Sequence, residues 1–165
     1  MDRMTAQRRI VVGVDGSASS RAALRWAARQ AALVGATVEA VITWEYPAVY
    51  GWGVPVAEAD DAEIAAYAGK TLAEAVAQEV GPQCPVEVRE RVECGNAAQV
   101  LLKVAEDAEL LVLGNRGHGG FAGALLGSVS QHCVHHASCP VVVVRDTGHE
   151  QTEHTGHAEG PAAGR

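Results

Sequence analysis

Glu109–Ser128 reads ELLVLGNRGHGGFAGALLGS, an apolar run followed by six glycines within fifteen residues. The run predicts a buried strand over Leu110–Leu113, and a helix is predicted over residues 129–137. Glycines let backbone N–H groups approach a ligand without an intervening Cβ, and a helix N-terminus favours an anion. The stretch therefore predicts either a phosphate site at a strand-to-helix turn or a flexible loop before a capped helix, since Ser128-x-x-Gln131 fits a capping box.

Strand and helix patterns alternate along the rest of the chain. Short β-branched runs predict strands, and alanines and leucines at helical spacing predict the helices between them. The strands are predicted over residues 9–15, 37–44, 86–92 and 140–144, and the helices over 18–34, 61–80 and 97–105. This alternation indicates an α/β fold, a single-domain three-layer α/β/α sandwich whose central sheet is parallel. Ligands of such folds bind beyond the carboxyl ends of the strands.

The composition fits one globular domain, since a chain of 165 residues commonly forms a single hydrophobic core. A net charge of −7 and a sequence pI near 5.4 argue against nucleic-acid binding, which normally needs a basic face. No apolar run is long enough to span a membrane, and no secretory signal precedes the first strand. We therefore expect a cytoplasmic protein whose four cysteines are reduced thiols used in packing.

The chain is predicted to divide into three parts. Residues 9–145 form the domain, and residues 1–8 form a short N-terminal extension. Residues 146–165 contain three alanines as their apolar content, which is too little to offset the entropy of ordering a chain. We therefore expect a disordered polar tail.

The glycines and three other segments together resemble a known family. Gly114-x2-Gly117-x9-Gly127-Ser128 satisfies G-x2-G-x9-G-[ST], the motif of the nucleotide-binding branch of the universal stress proteins. The same resemblance extends to VVGVDGS at residues 11–17, to the Ala-rich helix that contains Trp26, and to HASCPVVVVR at residues 136–145. It covers residues 9–145, and four separate matches make it specific.

The resemblance implies a Rossmann-like, adenine nucleotide alpha hydrolase-like fold that binds ATP. Its five-stranded parallel sheet has the order 3-2-1-4-5, so strands one and four are neighbours and Asp15 would face Gly114 across a cleft. The contacts that it implies are Val14 and Thr43 beside the adenine, Asp15 by the adenine and ribose, Leu113 and Gly114 flanking the nucleoside, and Gly117, Gly127, Ser128, Val129 and Ser130 donating to the phosphates.

Three polar side chains in this region allow more than one interpretation. Asp15 can accept hydrogen bonds from ribose hydroxyls, or it can simply serve in the turn. Arg116 and His118 can each contact a phosphate or remain solvated in the loop. Because the motif carries little positive charge, a bound triphosphate is expected to bring Mg²⁺ or Mn²⁺. The change Gly117→Val is expected to abolish binding by blocking the approach to phosphate.

The sequence shows no P-loop lysine, no serine triad pattern and no paired carboxylates for acid–base chemistry. We therefore expect no enzyme but an ATP-dependent regulatory or binding module in a stress response, with slow hydrolysis at most. The alternatives are a slow ATPase or nucleotide hydrolase, and a stress protein that signals only through protein partners. The resemblance also implies a homodimer paired through the last strand, whereas the downstream protein partner stays unknown.

Histidines near the last helix allow a metal interpretation. His132 and His136 share a helix face that could hold zinc. The resemblance instead explains His136 and Cys139 as packing residues before a strand, so no metal ligand is assigned. Three further histidines fall in the predicted tail, where we expect no specific role.

Overall fold

The computed structural model describes residues 7–45, 60–117 and 125–147, which form a parallel sheet flanked by helices. Its elements are β1 (Arg9–Gly13), α1 (Ala18–Val34), β2 (Thr37–Trp44), α2 (Asp61–Glu79), β3 (Val88–Cys94), α3 (Ala97–Val104), β4 (Leu110–Gly114), α4 (Ser128–His136) and β5 (Val141–Val144). The strands lie in the order β3-β2-β1-β4-β5, and every pairing is parallel. The predicted fold class and strand order are therefore confirmed.

Two helices cover each face of the sheet, as right-handed crossovers require. On one face, α1 and α2 bury Leu24 and Leu72 against Ile10 and Val12 of β1. On the other face, α3 and α4 pack around Leu101, in a second cluster of buried apolar residues. This arrangement leaves the carboxyl ends of β1 and β4 side by side, between α1 on one face and α3 with α4 on the other.

A serine begins α1 and a glycine ends it. The Ser17 side chain accepts a hydrogen bond from the Ser20 N–H, at 3.3 Å, and so caps the start of the helix. Gly35 ends the helix with φ of +68°, a conformation that glycine adopts without a Cβ penalty. The cap holds the turn of residues 14–17 at the carboxyl end of β1.

The strand β3 lies at one edge of the sheet, as the strand order implied by the resemblance places it, but its bounds differ by two residues from the predicted 86–92. The ladder with β2 begins where Val38 pairs with Val88 and ends where Trp44 pairs with Cys94. Val86 precedes this ladder, although it still packs against the core. Pairing with β2 therefore sets the strand ends, and the apolar alternation alone could not fix them.

A charged cluster occupies the β2–β3 half of the sheet. Glu39 of β2 is almost fully buried and accepts hydrogen bonds from Arg9 at 2.6 Å and Arg91 at 3.0 Å. Burial raises the pKa of Glu39, but the hydrogen bonds from both arginines outweigh burial and hold it below its ordinary value. The carboxylate is therefore ionised at neutral pH and forms a charged group between two arginines within a largely apolar strand.

The four cysteines are all free, and they differ in environment. Cys133 is fully buried, and burial, followed by the nearby Cys139, raises its thiol pKa to about 11. Cys84 and Cys139 are half-buried, whereas Cys94 is exposed at the end of β3. The expected packing role is therefore wrong for Cys94, because its side chain falls on the open edge strand.

Several predictions fall outside the described residues. They concern His118, most of the N-terminal extension, and the tail beyond residue 147. Within the described ranges, no helix combines the length and the apolar character that crossing a bilayer requires.

Candidate functional site

A cavity of about 380 Å³ opens where β1 and β4 end. Such a volume lies within the range of pockets that bind small molecules. All of the predicted site residues line it: Val14, Asp15, Thr43, Leu113, Gly114, Arg116, Gly117, Gly127, Ser128, Val129 and Ser130. Residues that lie more than a hundred positions apart in the sequence therefore meet at one site.

Six further residues line the cavity without having been predicted. They are Gly13, Ser20, Val41, Ala97, Leu101 and Leu126. Val41 lies two residues before Thr43 and faces the same side of β2, so the period of the strand could have indicated it. Ala97 and Leu101 belong to the first turns of α3, a helix that carries no motif, so no sequence signal pointed to them.

One carboxylate oxygen of Asp15 serves the turn, and the other lies beside Gly117. Oδ1 accepts a hydrogen bond from the Ser17 N–H at 2.9 Å, which closes the turn after β1. Oδ2 lies opposite Gly117, where a Cβ built on the glycine would come within 2.7 Å of it. The turn role and a ligand role for Asp15 are therefore compatible, because they use different oxygens.

Gly114 is required by packing rather than by backbone conformation. A Cβ at this position would lie 2.7 Å from the backbone carbon of Ser19, at the start of α1. Distances below 3.0 Å are essentially never seen for real Cβ atoms, and the neighbour is backbone that cannot swing away. The missing side chain therefore lets β4 end directly against α1.

Gly127 lies directly before α4, and its backbone hydrogen bond joins the two ends of the glycine-rich segment. Its N–H donates to the Asn115 C=O at 2.7 Å, so this amide is directed at Asn115 and not into the cavity. Gly127 also occupies the N-cap position of α4, where no side chain caps the helix. The capping-box alternative for Ser128 is therefore wrong, because Ser128 is already the first helical residue.

The first three residues of α4 line the cavity. The first N–H groups of a helix have no partner within the helix, and here they belong to Ser128, Val129 and Ser130. The Ser130 hydroxyl is already used, since it donates to the Gly114 C=O at 2.6 Å from a buried position. The backbone, with the Ser128 hydroxyl, thus forms the anion-attracting wall of the cavity.

Arg116 lies between α1 and the cavity. Its C=O accepts hydrogen bonds from the hydroxyls of Ser17 and Ser19, and its N–H donates to the Ser19 oxygen at 3.4 Å. These bonds fix the backbone of residue 116 against the start of α1. The position of Gly117 opposite Asp15 follows directly from this attachment.

At its other end the cavity has an apolar wall, and the backbone of β2 borders it with groups that can form hydrogen bonds. The Val14 N–H donates to the Val41 C=O at 2.8 Å, the last described bond between the β1 end and β2. Backbone groups alternate sides along a strand, so the N–H and C=O of Thr43 point the same way as the Val41 C=O. Thr43 therefore directs one donor and one acceptor beside an apolar wall.

The fold and this cavity define a Rossmann-like α/β protein with a cavity at its topological switch point, where ligands of such folds bind. The family model described as Universal stress protein family matches residues 7–145. This chain belongs to the universal stress protein family.

Curated relatives agree with the family assignment. The chain is 34% identical over 152 residues to a universal stress protein of Mycolicibacterium smegmatis, covering 88% of this chain and 50% of the relative. It is 36% identical over 154 residues to the universal stress protein Rv2005c of Mycobacterium tuberculosis, covering 87% and 50%. The chain therefore spans about half the length of these relatives.

Solved structures share the fold. The universal stress protein UspA from Lactobacillus plantarum has a TM-score of 0.69 at 23% identity, covering 86% of this chain and all of that one. A universal stress protein in complex with cAMP has a TM-score of 0.63 at 26% identity, covering 85% and 98%. A family protein from Arabidopsis thaliana with AMP bound has a TM-score of 0.58 at 19% identity, covering 89% and 97%.

Proposed function

We propose that the protein binds ATP in this cavity and acts as a nucleotide-dependent regulatory module in a stress response. The observation that carries the proposal is the cavity itself, which gathers the whole glycine motif, Asp15 and the Thr43 backbone edge. Relatives with the same fold have been solved with the adenine nucleotides cAMP and AMP, which supports this class of ligand.

The adenine is proposed to lie at the apolar end. An adenine ring presents a donor amine beside an acceptor ring nitrogen, and the N–H and C=O of Thr43 offer the complementary pair. Val41 and Leu101 supply apolar surface for the ring faces. The ribose would then lie between Leu113 and Asp15, which line the cavity, and the Asp15 Oδ2 beside Gly117 can accept hydroxyl hydrogens.

The phosphates are proposed to reach the start of α4. The amides of Ser128, Val129 and Ser130 can donate to them, and the positive end of the helix dipole adds attraction. Among the described lining residues, Arg116 is the only one with a positively charged side chain. A triphosphate carries more charge than this site offsets, so Mg²⁺ or Mn²⁺ is proposed to accompany it, held by phosphate oxygens and water.

Isothermal titration of nucleotide-free protein with ATP and Mg²⁺ tests the proposal. Asp15→Asn keeps an oxygen for the Ser17 N–H and removes the negative charge that faces the ribose. Losing a hydrogen bond to a charged group costs about 1.5–3 kcal/mol, so we expect roughly 10- to 100-fold weaker binding with an unchanged melting temperature. Absence of heat with ATP, AMP and cAMP alike would refute the proposal, and binding of AMP or cAMP alone would correct the ligand.

Rapid hydrolysis is not part of the proposed role. Asp15 is the only carboxylate among the described lining residues, and one of its oxygens is already bonded to Ser17. We expect phosphate release no faster than in a protein-free blank, measured over hours with ATP and Mg²⁺. Turnover above that blank that Arg116→Ala reduces would favour the slow ATPase instead.

A homodimer through β5 is proposed for the same protein. β5 lies at the edge of the sheet, and its four valines are only half-buried. The opposite edge, β3, carries charged residues that discourage pairing. Apolar surface on an edge strand is costly to leave in water, and a second copy could cover it.

The backbone of β5 allows a selective test of this dimer. Pro140 and Val144 direct their C=O groups to β4, so the N–H and C=O of Val143 point outwards. Val143→Pro removes an outward donor and keeps the β4 ladder, so we expect light scattering to change from a dimer to a monomer mass. A parent protein that is already monomeric would exclude the dimer.

A cytoplasmic location is also proposed. ATP is plentiful there and thiols stay reduced, in agreement with four free cysteines.

A further inference from the structure

Three histidines cluster at the carboxyl end of α4, outside the cavity. The ring centroids of His132 and His136 lie 4.4 Å apart with the planes tilted by 42°, and those of His135 and His136 lie 6.4 Å apart. All three side chains are exposed. His132 and His136 are one helical turn apart and therefore share a face of the helix.

The expectation that His136 packs before the last strand is wrong, because its side chain is in solvent. For Cys139 the expected packing role is correct, because its side chain packs against the cluster of buried residues around Leu111. On α4 itself, Cys133 faces the core and is fully buried, so the two histidines occupy the outer face. Packing thus accounts for Cys133 and Cys139, but it gives no reason for the pair His132 and His136.

We propose that His132 and His136 form a binding site for a divalent transition-metal ion of the Zn²⁺ class. Two histidines at i and i+4 on one helix face are a recognised zinc-binding arrangement. Zinc–nitrogen bonds measure about 2.0–2.1 Å, so small rotations of rings this close bring one nitrogen of each to the same ion. Imidazole suits Zn²⁺, Cu²⁺ and Ni²⁺, and does not suit Mg²⁺.

Among the described residues, the proposed site has two protein ligands, His132 and His136. Within the described residues, no group of three or more His, Cys, Asp or Glu side chains is arranged to hold a metal. Water therefore completes the coordination, and the ion is exchangeable. Bound metal would join two successive turns of α4, a helix of nine residues whose first residues line the cavity.

The test is a calorimetric titration of nucleotide-free, full-length protein with Zn²⁺ in the presence of a non-thiol reductant. The background carries Asn in place of His118, His149, His154 and His157, so that histidines elsewhere take up no metal. We expect one Zn²⁺ per chain. Binding the second imidazole is an intramolecular step, so His132→Ala or His136→Ala is expected to weaken the affinity by about 100-fold.

His135→Ala is the matched control, because it removes a neighbouring exposed imidazole and leaves the pair intact. We expect its zinc affinity to equal that of the background protein. Zn²⁺ should also raise the melting temperature of the background protein but not of His132→Ala, since a ligand stabilises the state that binds it. No zinc uptake, uptake unaffected by His132→Ala and His136→Ala, or an equal loss in His135→Ala would each overturn the proposal.

Discussion

The two ends of the glycine motif meet the rest of the protein in opposite ways. At the first end, Gly114 and Gly117 lie so close to α1 and Asp15 that a Cβ would come within 2.7 Å of neighbouring atoms. At the last end, a Cβ on Gly127 would lie 3.6 Å from its nearest neighbours among the described residues, an ordinary contact. The glycines of this one motif therefore do not all occupy their positions for the same physical reason.

The difference shows what the motif fixes. None of the three glycines has a positive φ, so none of them is needed for a left-handed backbone conformation. The first two permit close approach, while Gly127 supplies a backbone amide for Asn115, which any residue except proline could provide. The rigid part of the site is thus the contact of β4 with α1, and the start of α4 is the more tolerant part.

Gly114→Ala should have the largest effect. The new Cβ meets the backbone of Ser19 and Ser20 at 2.7 Å, so β4 or α1 must shift. Overpacking of this kind costs about 3 kcal/mol, and we expect chemical denaturation to report a loss of that size together with lost ATP binding. A variant as stable as the parent would remove the contrast between the two ends.

Gly117→Ala should impair binding more than stability. Its Cβ meets Asp15 Oδ2, the end of a side chain that can rotate away, so we expect a stability loss below about 1.5 kcal/mol. The displaced carboxylate no longer faces the ribose, and ATP affinity should fall by more than about tenfold. We therefore expect the block to binding predicted for Gly117→Val to act at least partly through displacement of Asp15.

A double-mutant cycle checks this cause. In an Asp15→Ala background no carboxylate remains to be displaced, so Gly117→Ala should have little further effect on titration calorimetry. Equal effects in both backgrounds would instead mean that the new methyl group blocks the ligand directly.

Ser130→Ala probes the bond that ties the two ends together. The buried hydroxyl donates to the Gly114 C=O, and its loss leaves that carbonyl without this partner, at a cost of about 1–2 kcal/mol. Ser128→Ala is the matched control, because this side chain is exposed, and we expect its stability to change by less than about 0.5 kcal/mol. Equal destabilisation in thermal melts would contradict the assigned role of the bond.

Gly127→Ala should have the smallest effect. The Cβ has room, the N–H to Asn115 is kept, and the backbone angles suit any residue. Fewer unfolded conformations can even stabilise the protein by about 0.4–1 kcal/mol, visible as a raised melting temperature. We expect unchanged ATP affinity, and lost affinity would mean that the nucleotide approaches this Cα directly.

The sequence allowed most of the fold to be predicted, because strand and helix periods are local signals. α1 and β2 were predicted with their observed bounds, whereas β3 was displaced by two residues since its ends depend on pairing with β2. Spaced glycines likewise identified the cavity wall. Ala97 and Leu101 were missed because only the packing of α3 brings them there, and the use of the Gly127 amide depends on a contact with Asn115 that spacing does not reveal.

The hydrogen bond between Asn115 and Gly127 also matters for protein engineering. It joins the backbone before and after residues 118–124, and Arg116, Gly117 and Leu126, which lie between the two bonded residues, line the cavity. Changing the length of a closed loop costs little entropy, about 0.6 kcal/mol for each doubling. We therefore expect residues 118–124 to accept a reporter peptide or an affinity tag, provided that the lining residues Arg116, Gly117 and Leu126 are kept.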